Sequence, residues 1–267
     1  MAALKSGASG PRVRTLQQLL QQRGFDPGEL NGVFGPGTEA AVRAFQASVG
    51  LSVDGQAGPN TFAALEAAGV TSNITVDIVA PLFPGTPRAN IQFQLPSVLK
   101  ALLDRQLADK SMVLMALGTI RAETASFEPI EEMVSQFNTP PGGPDFSLYD
   151  SRSDLGNQGP PDGANFRGRG FVQLTGRANY TQFSKVLGLG TQLVDTPELA
   201  ADPTLAAQLL AAFLKDKEQR IRSVLTANDL AAARKLVNGG SHGLANFTDA
   251  YTRGLTLIPD AVQVQVV

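Results

Sequence analysis

Apolar residues recur at helical spacing through most of this 267-residue chain, and strand-like alternation is scarce. The first periodic segment runs from Pro11 to about Arg23, with Val13, Leu16, Leu19 and Leu20 on one side. Two more short helices are expected, one carrying Ala41, Val42 and Phe45, the other Phe62 and Leu65. The same punctuation introduces both: Asn31-Gly-Val-Phe-Gly-Pro-Gly-Thr38, then Asp54-Gly-Gln-Ala-Gly-Pro-Asn-Thr61. Each copy opens on a turn pair, and its Gly-Pro sets the proline at the first helical position. Residues 71–95 carry several prolines and no helical period, which predicts a linker and entry segment. From Pro96 the pattern turns helical again, near Ser97 to Leu107, from about Ser111 to Phe127, after Gly176, and in alanine- and leucine-rich runs to about Gly254. Between them, Asn138 to Gly170 is irregular and rich in Gly, Pro, Asp and Asn, and loops of that length are usually functional or mobile. The expected fold is mainly α: a small three-helix domain at 1–70 and a larger helical domain at 96–267.

Composition narrows the chemistry. Hydrophobic residues make up 43% and charged residues 17%, the values of a soluble globular protein. A formal net charge of −2 gives no general attraction to nucleic acid or anionic membrane. No apolar run is long enough to span a bilayer, and no secretory leader is visible, so export by another route is expected. There is no cysteine, which excludes a disulfide framework, a thiolate nucleophile and cysteine zinc ligands. His242 is the only histidine, too few for a zinc hydrolase. Carboxylate chemistry remains, with neither metal nor organic cofactor expected.

One helical face singles out an acid. Ala116, Ile120, Glu123 and Phe127 are spaced by four, three and four, so they share a face. A carboxyl pressed against apolar neighbours has its ionised form disfavoured, as a general acid requires. Pro129 is expected to stop this helix. On a continuous helix Glu132 would lie on the far side, roughly 13 Å along the axis. A turn can instead bring Glu128, Glu131 or Glu132 back toward Glu123. Inverting glycosidases hold such a pair roughly 6.5–9.5 Å apart, leaving room for the attacking water.

Phe166 to Tyr180 reads FRGRGFVQLTGRANY, with glycines beside Arg169, Gln173, Thr175, Asn179 and Tyr180. These polar groups suit a neutral polyhydroxylated substrate. The segment resembles the GRGxxQLTGRxNY signature of the family 19 glycoside hydrolases, the chitinase-like enzymes that include many phage endolysins. Ala122-Glu123-Thr124 resembles that family's HE[TS], with Ala122 in place of histidine, and Leu236-Val-Asn-Gly-Gly240 resembles its INGG. Tyr149 to Asn157 resembles a loop of the endolysin-like branch. Glu123, Phe127 and Glu132 match ExxxFxxxxE in such endolysins. The N-terminal region resembles the peptidoglycan-binding domain of cell-wall hydrolases over Leu4 to Leu20, Asn31 to Gln46 and Val53 to Leu65, with Asn31 where aspartate is commoner.

These resemblances imply a lysozyme-like, chitinase-like catalytic domain with Glu123 as acid and Glu132 as base, Thr175 helping to hold the water. They further imply sugar contacts by Gln173, Asn179, Tyr180 and Asn238. Arg169 could hold the base ionised by proximity, or pair with Asp150 or Asp154 as structure. The turns around Asn31-Gly32 and Asp54-Gly55 are the expected rim of a wall-binding groove. The implied partner is bacterial peptidoglycan, cut at a β-1,4 glycosidic bond by a monomeric phage endolysin that reaches the wall through a holin. Chitin hydrolysis, lytic transglycosylase chemistry and a non-catalytic wall-binding protein are the alternatives.

Overall fold

The computed structural model describes residues 3–67 and 69–266 and divides the chain into two compact units, one ending at Val70 and the other spanning Thr71–Val266. The first unit holds α1 (Pro11–Gln22), α2 (Pro36–Ser48) and α3 (Pro59–Ala67). They enclose a core of Val13, Leu16, Leu20, Phe34, Val42, Phe45, Phe62 and Leu65. The edge of Phe25 meets the Phe45 ring with centroids 5.5 Å apart. Each of these large side chains contributes about 1.5–3 kcal/mol by leaving water.

Two buried glutamines repeat one device in this unit. The Gln17 amide nitrogen reaches the Val33 carbonyl and Thr38 Oγ1, both at 3.0 Å, and Asn31 Oδ1 at 3.4 Å; its Oε1 accepts from the Gly32 N–H at 2.9 Å. Gln46 makes the matching set with the Gln56 carbonyl, Thr61, Asp54 and the Gly55 N–H. The pseudo-repeat in sequence is thus a repeat of hydrogen bonding: a helix glutamine locks the turn that launches the next helix.

After β1 (Val70–Ser72), whose first residue closes the first unit, the second unit continues with α4 (Val76–Val79) and α5 (Arg88–Asp104). Its centre is α6 (Lys110–Glu123), whose residues 112–120 are all buried. The Asp109 side chain caps α6 by accepting from the Met112 N–H. After β2 (Ile130–Glu131), the long loop, α7 (Asp162–Asn165) and β3 (Arg169–Gly170) come α8 (Arg177–Val186), α9 (Gln192–Asp195), α10 (Pro203–Asp216), α11 (Glu218–Thr226), α12 (Leu230–Asn238), α13 (Leu244–Leu257) and β4 (Val264–Val266). α13 packs against α6, and α10 against α5. Gly118 permits the first contact, because a Cβ there would lie 2.9 Å from the Phe247 ring. The fold is mainly α, as the apolar periodicity predicts.

Three expectations need correction. Residues 71–95 are not an irregular linker but part of the second unit. α5 runs through Pro96, a residue that normally interrupts a helix, because Ile91, Leu95, Val98, Leu99 and Leu102 bury one of its faces. Finally, α6 ends at Glu123, before Pro129 can act. Ala125 and Phe127 take left-handed backbone at φ 53° and 56°. Tertiary bonds hold them there: Asn90 Nδ2 donates to the Ser126 carbonyl at 2.9 Å, and the Phe127 ring is wedged between Phe83 and Phe171.

Candidate active site

The short antiparallel pair β2–β3 places one carboxylate. Ile130 pairs with Gly170 and Glu131 with Arg169. The ladder continues as the Glu132 N–H donates to the Gly168 carbonyl at 2.7 Å, fixing Glu132 beside the glycine-rich loop. Its side chain then accepts from three neutral donors. Tyr149 O–H (2.9 Å) and Asn138 Nδ2 (3.0 Å) reach Oε1, and the Gly168 N–H reaches Oε2 at 3.0 Å. Tyr149 remains a donor across the physiological range, since burial, reinforced by Glu132, pushes its phenol up to about 12. Asn138 is itself fixed: it is fully buried, and its Oδ1 accepts from the Ser135 N–H and Thr139 Oγ1.

Glu131, one residue earlier, has a different environment. It pairs with Arg167, and its Oε2 lies 3.5 Å from Arg169 Nε. Two guanidiniums therefore claim Glu131, while Glu132 keeps only neutral partners. The adjacent carboxylates are sorted by environment, one to structure and one to an open task.

Space around Gly168 shows what that task can be. A Cβ built on Gly168 would lie 2.9 Å from Gln173 Oε1 and 3.2 Å from both Glu132 Oε2 and Thr175 Oγ1. Three oxygens from separate side chains thus border one small volume that only glycine leaves empty. Gln173 holds its side chain there by donating to the Ile130 and Gly170 carbonyls at 3.2 and 3.1 Å, from a backbone at φ 50°. Thr175 Oγ1 donates to the Gln173 carbonyl at 2.9 Å. A hydroxyl that donates inward presents its lone pairs outward. The cluster can hold and orient a water molecule.

Glu123 stands at the C-terminal end of α6 with 10% of its side chain exposed. The expected purely apolar setting is corrected, because Arg234 from α12 brings Nη2 within 2.8 Å of Glu123 Oε1. Arg234 is completely buried, and neither of its Nη atoms makes a well-directed hydrogen bond. Its hold on Glu123 is therefore chiefly electrostatic. Nε of Arg234 donates to the His242 carbonyl at 2.9 Å, as does Asn238 Nδ2. The Asn238 side chain thus fastens the loop after α12, including through the Gly240 N–H, and that loop presses on α6. A Cβ at Gly243 would meet Ala122 Cβ at 3.0 Å.

Other expected contacts prove to be scaffold. Arg169 is 3% exposed and donates to the Asn165 carbonyl and the Tyr180 hydroxyl. It pairs with Glu131, not with Asp150 or Asp154. Tyr180 is completely buried and donates to the Arg167 carbonyl, so neither residue can meet a glycan directly. Asn179 is half-buried and donates to the Thr175 carbonyl at 2.8 Å, bracing the turn that carries Thr175. Asn31 and Asp54 each close their own turn by accepting at 2.8 Å from the N–H two residues on. That bond, the largest cause, holds the Asp54 carboxyl below its ordinary range.

The sequence reading missed Asn138 and Arg234. Tyr149 entered only as part of a loop, with no hint that its hydroxyl serves Glu132. Among the described residues no group of three or more His, Cys, Asp or Glu is placed to hold a metal, and no helix is long and apolar enough to cross a membrane. A groove of about 800 Å³ lined by Arg220, Val224, Lys235 and Leu236 contains neither carboxylate. The candidate site is therefore assigned by its chemistry, not by cavity size.

Similarity to known proteins bears on both the wall-binding and the glycosidase expectations. Residues 9–65 match the family model described as "Putative peptidoglycan binding domain". That range lies inside the first unit. The chain is 50% identical over 58 residues to a spore cortex-lytic enzyme of Bacillus cereus, covering 22% of each protein. It is 47% identical over 64 residues to a zinc D-Ala-D-Ala carboxypeptidase of Streptomyces albus G, covering 22% of this chain and 24% of that protein. The chain thus spans about a fifth to a quarter of these relatives' length. A protein of Haemophilus influenzae named for a glycosyl hydrolase family 19 domain is 28% identical over 97 residues, 36% of this chain and 44% of that protein. Chitinase C from Streptomyces griseus HUT6037 superimposes over 69% of this chain and 76% of its own with a TM-score of 0.47 and 18% identity.

Proposed function

We propose that this chain is a peptidoglycan hydrolase in which the first unit docks on the wall and the second cleaves a β-1,4 glycosidic bond. The observation that carries the reading is the convergence of Glu132 Oε2, Thr175 Oγ1 and Gln173 Oε1 around Gly168. A water held there has an acceptor for its proton in Glu132 and two further oxygens to fix its orientation. Glu123 protonates the departing glycosidic oxygen as the C–O bond breaks. The water oxygen bonds to the anomeric carbon, and its proton passes to Glu132. Arg234, already against Glu123, stabilises the carboxylate left when that proton is given up. Two carboxyls in these roles are those of an inverting glycosidase.

The match of residues 9–65 to the wall-binding family supports peptidoglycan as the polymer, and the relative named for family 19 supports glycosidase chemistry. Docking through one unit raises the effective concentration of glycan at the other. A lytic role in phage release, with exit through a membrane pore made by another protein, accords with this reading. The test is digestion of purified peptidoglycan and of chitin oligosaccharides by wild type, Glu123→Gln and Glu132→Gln. Both variants should lose about a hundredfold or more of the activity on peptidoglycan. Undiminished wall lysis by either would remove the two-carboxylate mechanism, and preference for chitin would remove the assigned substrate.

A further inference from the structure

The first unit contains its own control experiment, because its two repeats share an arginine but differ in what that arginine pairs with. Arg14 stands three residues before Gln17 on α1, and Arg43 stands three before Gln46 on α2. In the second repeat Arg43 folds over the glycine turn. Its Nη1 donates to the Val53 carbonyl at 2.9 Å, and its guanidinium lies 2.7–2.9 Å from where a Gly55 Cβ would be. Glu39, one helical turn before Arg43, pins it there with Oε1 2.9 Å from Nη2. The turn, the guanidinium and the carboxylate form a closed set.

In the first repeat the set is incomplete. The position matching Glu39 is Gly10, which has no side chain. No carboxylate pairs with Arg14 among the described residues, and a Cβ on Gly32 would lie nearest the Gly10 carbonyl oxygen at 3.1 Å and Arg14 Cβ at 3.7 Å, with no guanidinium among its nearest atoms. What the second repeat fills, the first leaves as a groove of about 520 Å³, lined by Ser9, Arg14, Thr15, Gln18, Asn31 and Val33. Val33 is 49% exposed and gives this polar groove an apolar edge.

We infer that this groove is the wall-docking site and that it takes a free carboxylate of a peptidoglycan stem peptide, which pairs with Arg14 as Glu39 pairs with Arg43. The inference rests on the wall-binding part of the proposed function and deepens it. The glycan backbone is uncharged between its peptides, so the stem is where peptidoglycan offers carboxylates. An arginine with an open partner position suits such a group through charge-assisted, two-pronged hydrogen bonding. The second repeat carries its own carboxylate and is closed to one from outside.

The test uses the full chain with Glu132→Gln, so that the polymer is not consumed, and co-sedimentation with purified sacculi from a Gram-negative bacterium, which lack teichoic acids. Arg14→Gln should weaken binding about tenfold or more, and Arg14→Lys, which keeps the charge but loses the two-pronged geometry, should fall between it and the parent. Arg43→Gln should bind as the parent does. Converting the stem carboxylates of intact sacculi to amides with a carbodiimide and ammonia, which leaves the cross-linked polymer whole, should reduce binding of the parent to the level of Arg14→Gln. The inference is overturned if Arg14→Gln sediments like the parent, or if amidated and untreated sacculi bind the parent equally. A parent that fails to sediment with any sacculi would overturn wall docking itself, a separate result.

Discussion

Replacing Gly168 with alanine adds one methyl group at the point where the proposed chemistry is concentrated. Its backbone is not in the left-handed region, so alanine carries no conformational penalty there. The methyl carbon would fall 2.9 Å from Gln173 Oε1 and 3.2 Å from Glu132 Oε2 and Thr175 Oγ1, closer than carbon and oxygen normally approach. Relief by small movements of those side chains costs about 1–3 kcal/mol of stability, or about 2–4 °C of melting temperature per kcal/mol in a domain of this size. The catalytic cost is larger. The methyl occupies the volume from which a water could contact both Glu132 and Thr175, and losing an oriented nucleophile costs about a hundredfold or more. Release of reducing ends from purified peptidoglycan should therefore show kcat about a hundredfold lower in Gly168→Ala, with KM within about threefold. The far-ultraviolet circular dichroism should match wild type. A folded Gly168→Ala enzyme with kcat within about threefold of wild type would refute the assignment of this volume to the attacking water.

Other residues give separable outcomes. Tyr149→Phe removes one donor from Glu132 and should lower kcat about tenfold with a stability loss of about 1 kcal/mol, read by denaturant titration. The Tyr149 phenol is raised to about 12 in the fold, so its contribution is complete below pH 10 and is lost as pH climbs through about 12. Alkaline unfolding between those values should be shallower in Tyr149→Phe than in wild type. Arg234→Met breaks a buried ion pair by removing one partner. It should cost about 3–5 kcal/mol in the second unit, and Arg234→Met with Glu123→Gln should recover part of that in a double-mutant cycle. Gln46→Ala leaves the Gly55 N–H without its partner and takes one partner each from the Gln56 carbonyl, Thr61 and Asp54. A loss of about 1–3 kcal/mol for each buried group left unpaired should unfold the first unit at lower temperature while leaving hydrolysis of soluble glycan fragments unchanged.

How much could be read without coordinates depended on whether the determinant was local. The helices of both units follow from apolar spacing and Gly-Pro punctuation, which act within a few residues. Glu123 is visible because four positions on one helix share a face. Glu132 is not visible that way: its place depends on the pairing of β2 with β3, between segments some forty residues apart, and only the resemblance singled it out from Glu128 and Glu131. The end of α6 was misattributed to Pro129, since the contacts that set Ala125 and Phe127 come from Thr86, Asn90, Phe83 and Phe171. Arg169 and Tyr180 look like ligand-binding residues in a glycine-rich motif, yet the same hydrogen-bonding capacity serves to support the loop from beneath. Arg234 gave no signal, because a lone arginine on an alanine-rich helix reads as a solvated position. Residues 138–170 read as a loose loop, but Asn138, Asn157 and Asp162 tie them down through bonds to Glu132, the Tyr149 carbonyl and Arg177.

The account stands on water being activated by Glu132 to cleave a sugar–sugar bond. The most direct measurement is mass spectrometry of peptidoglycan digested in water enriched in oxygen-18. Wild type should place one heavy oxygen at each new reducing sugar end, and Glu132→Gln should form such ends at least about a hundredfold more slowly. Anhydro ends without label, or released peptides with no new sugar ends, would contradict it.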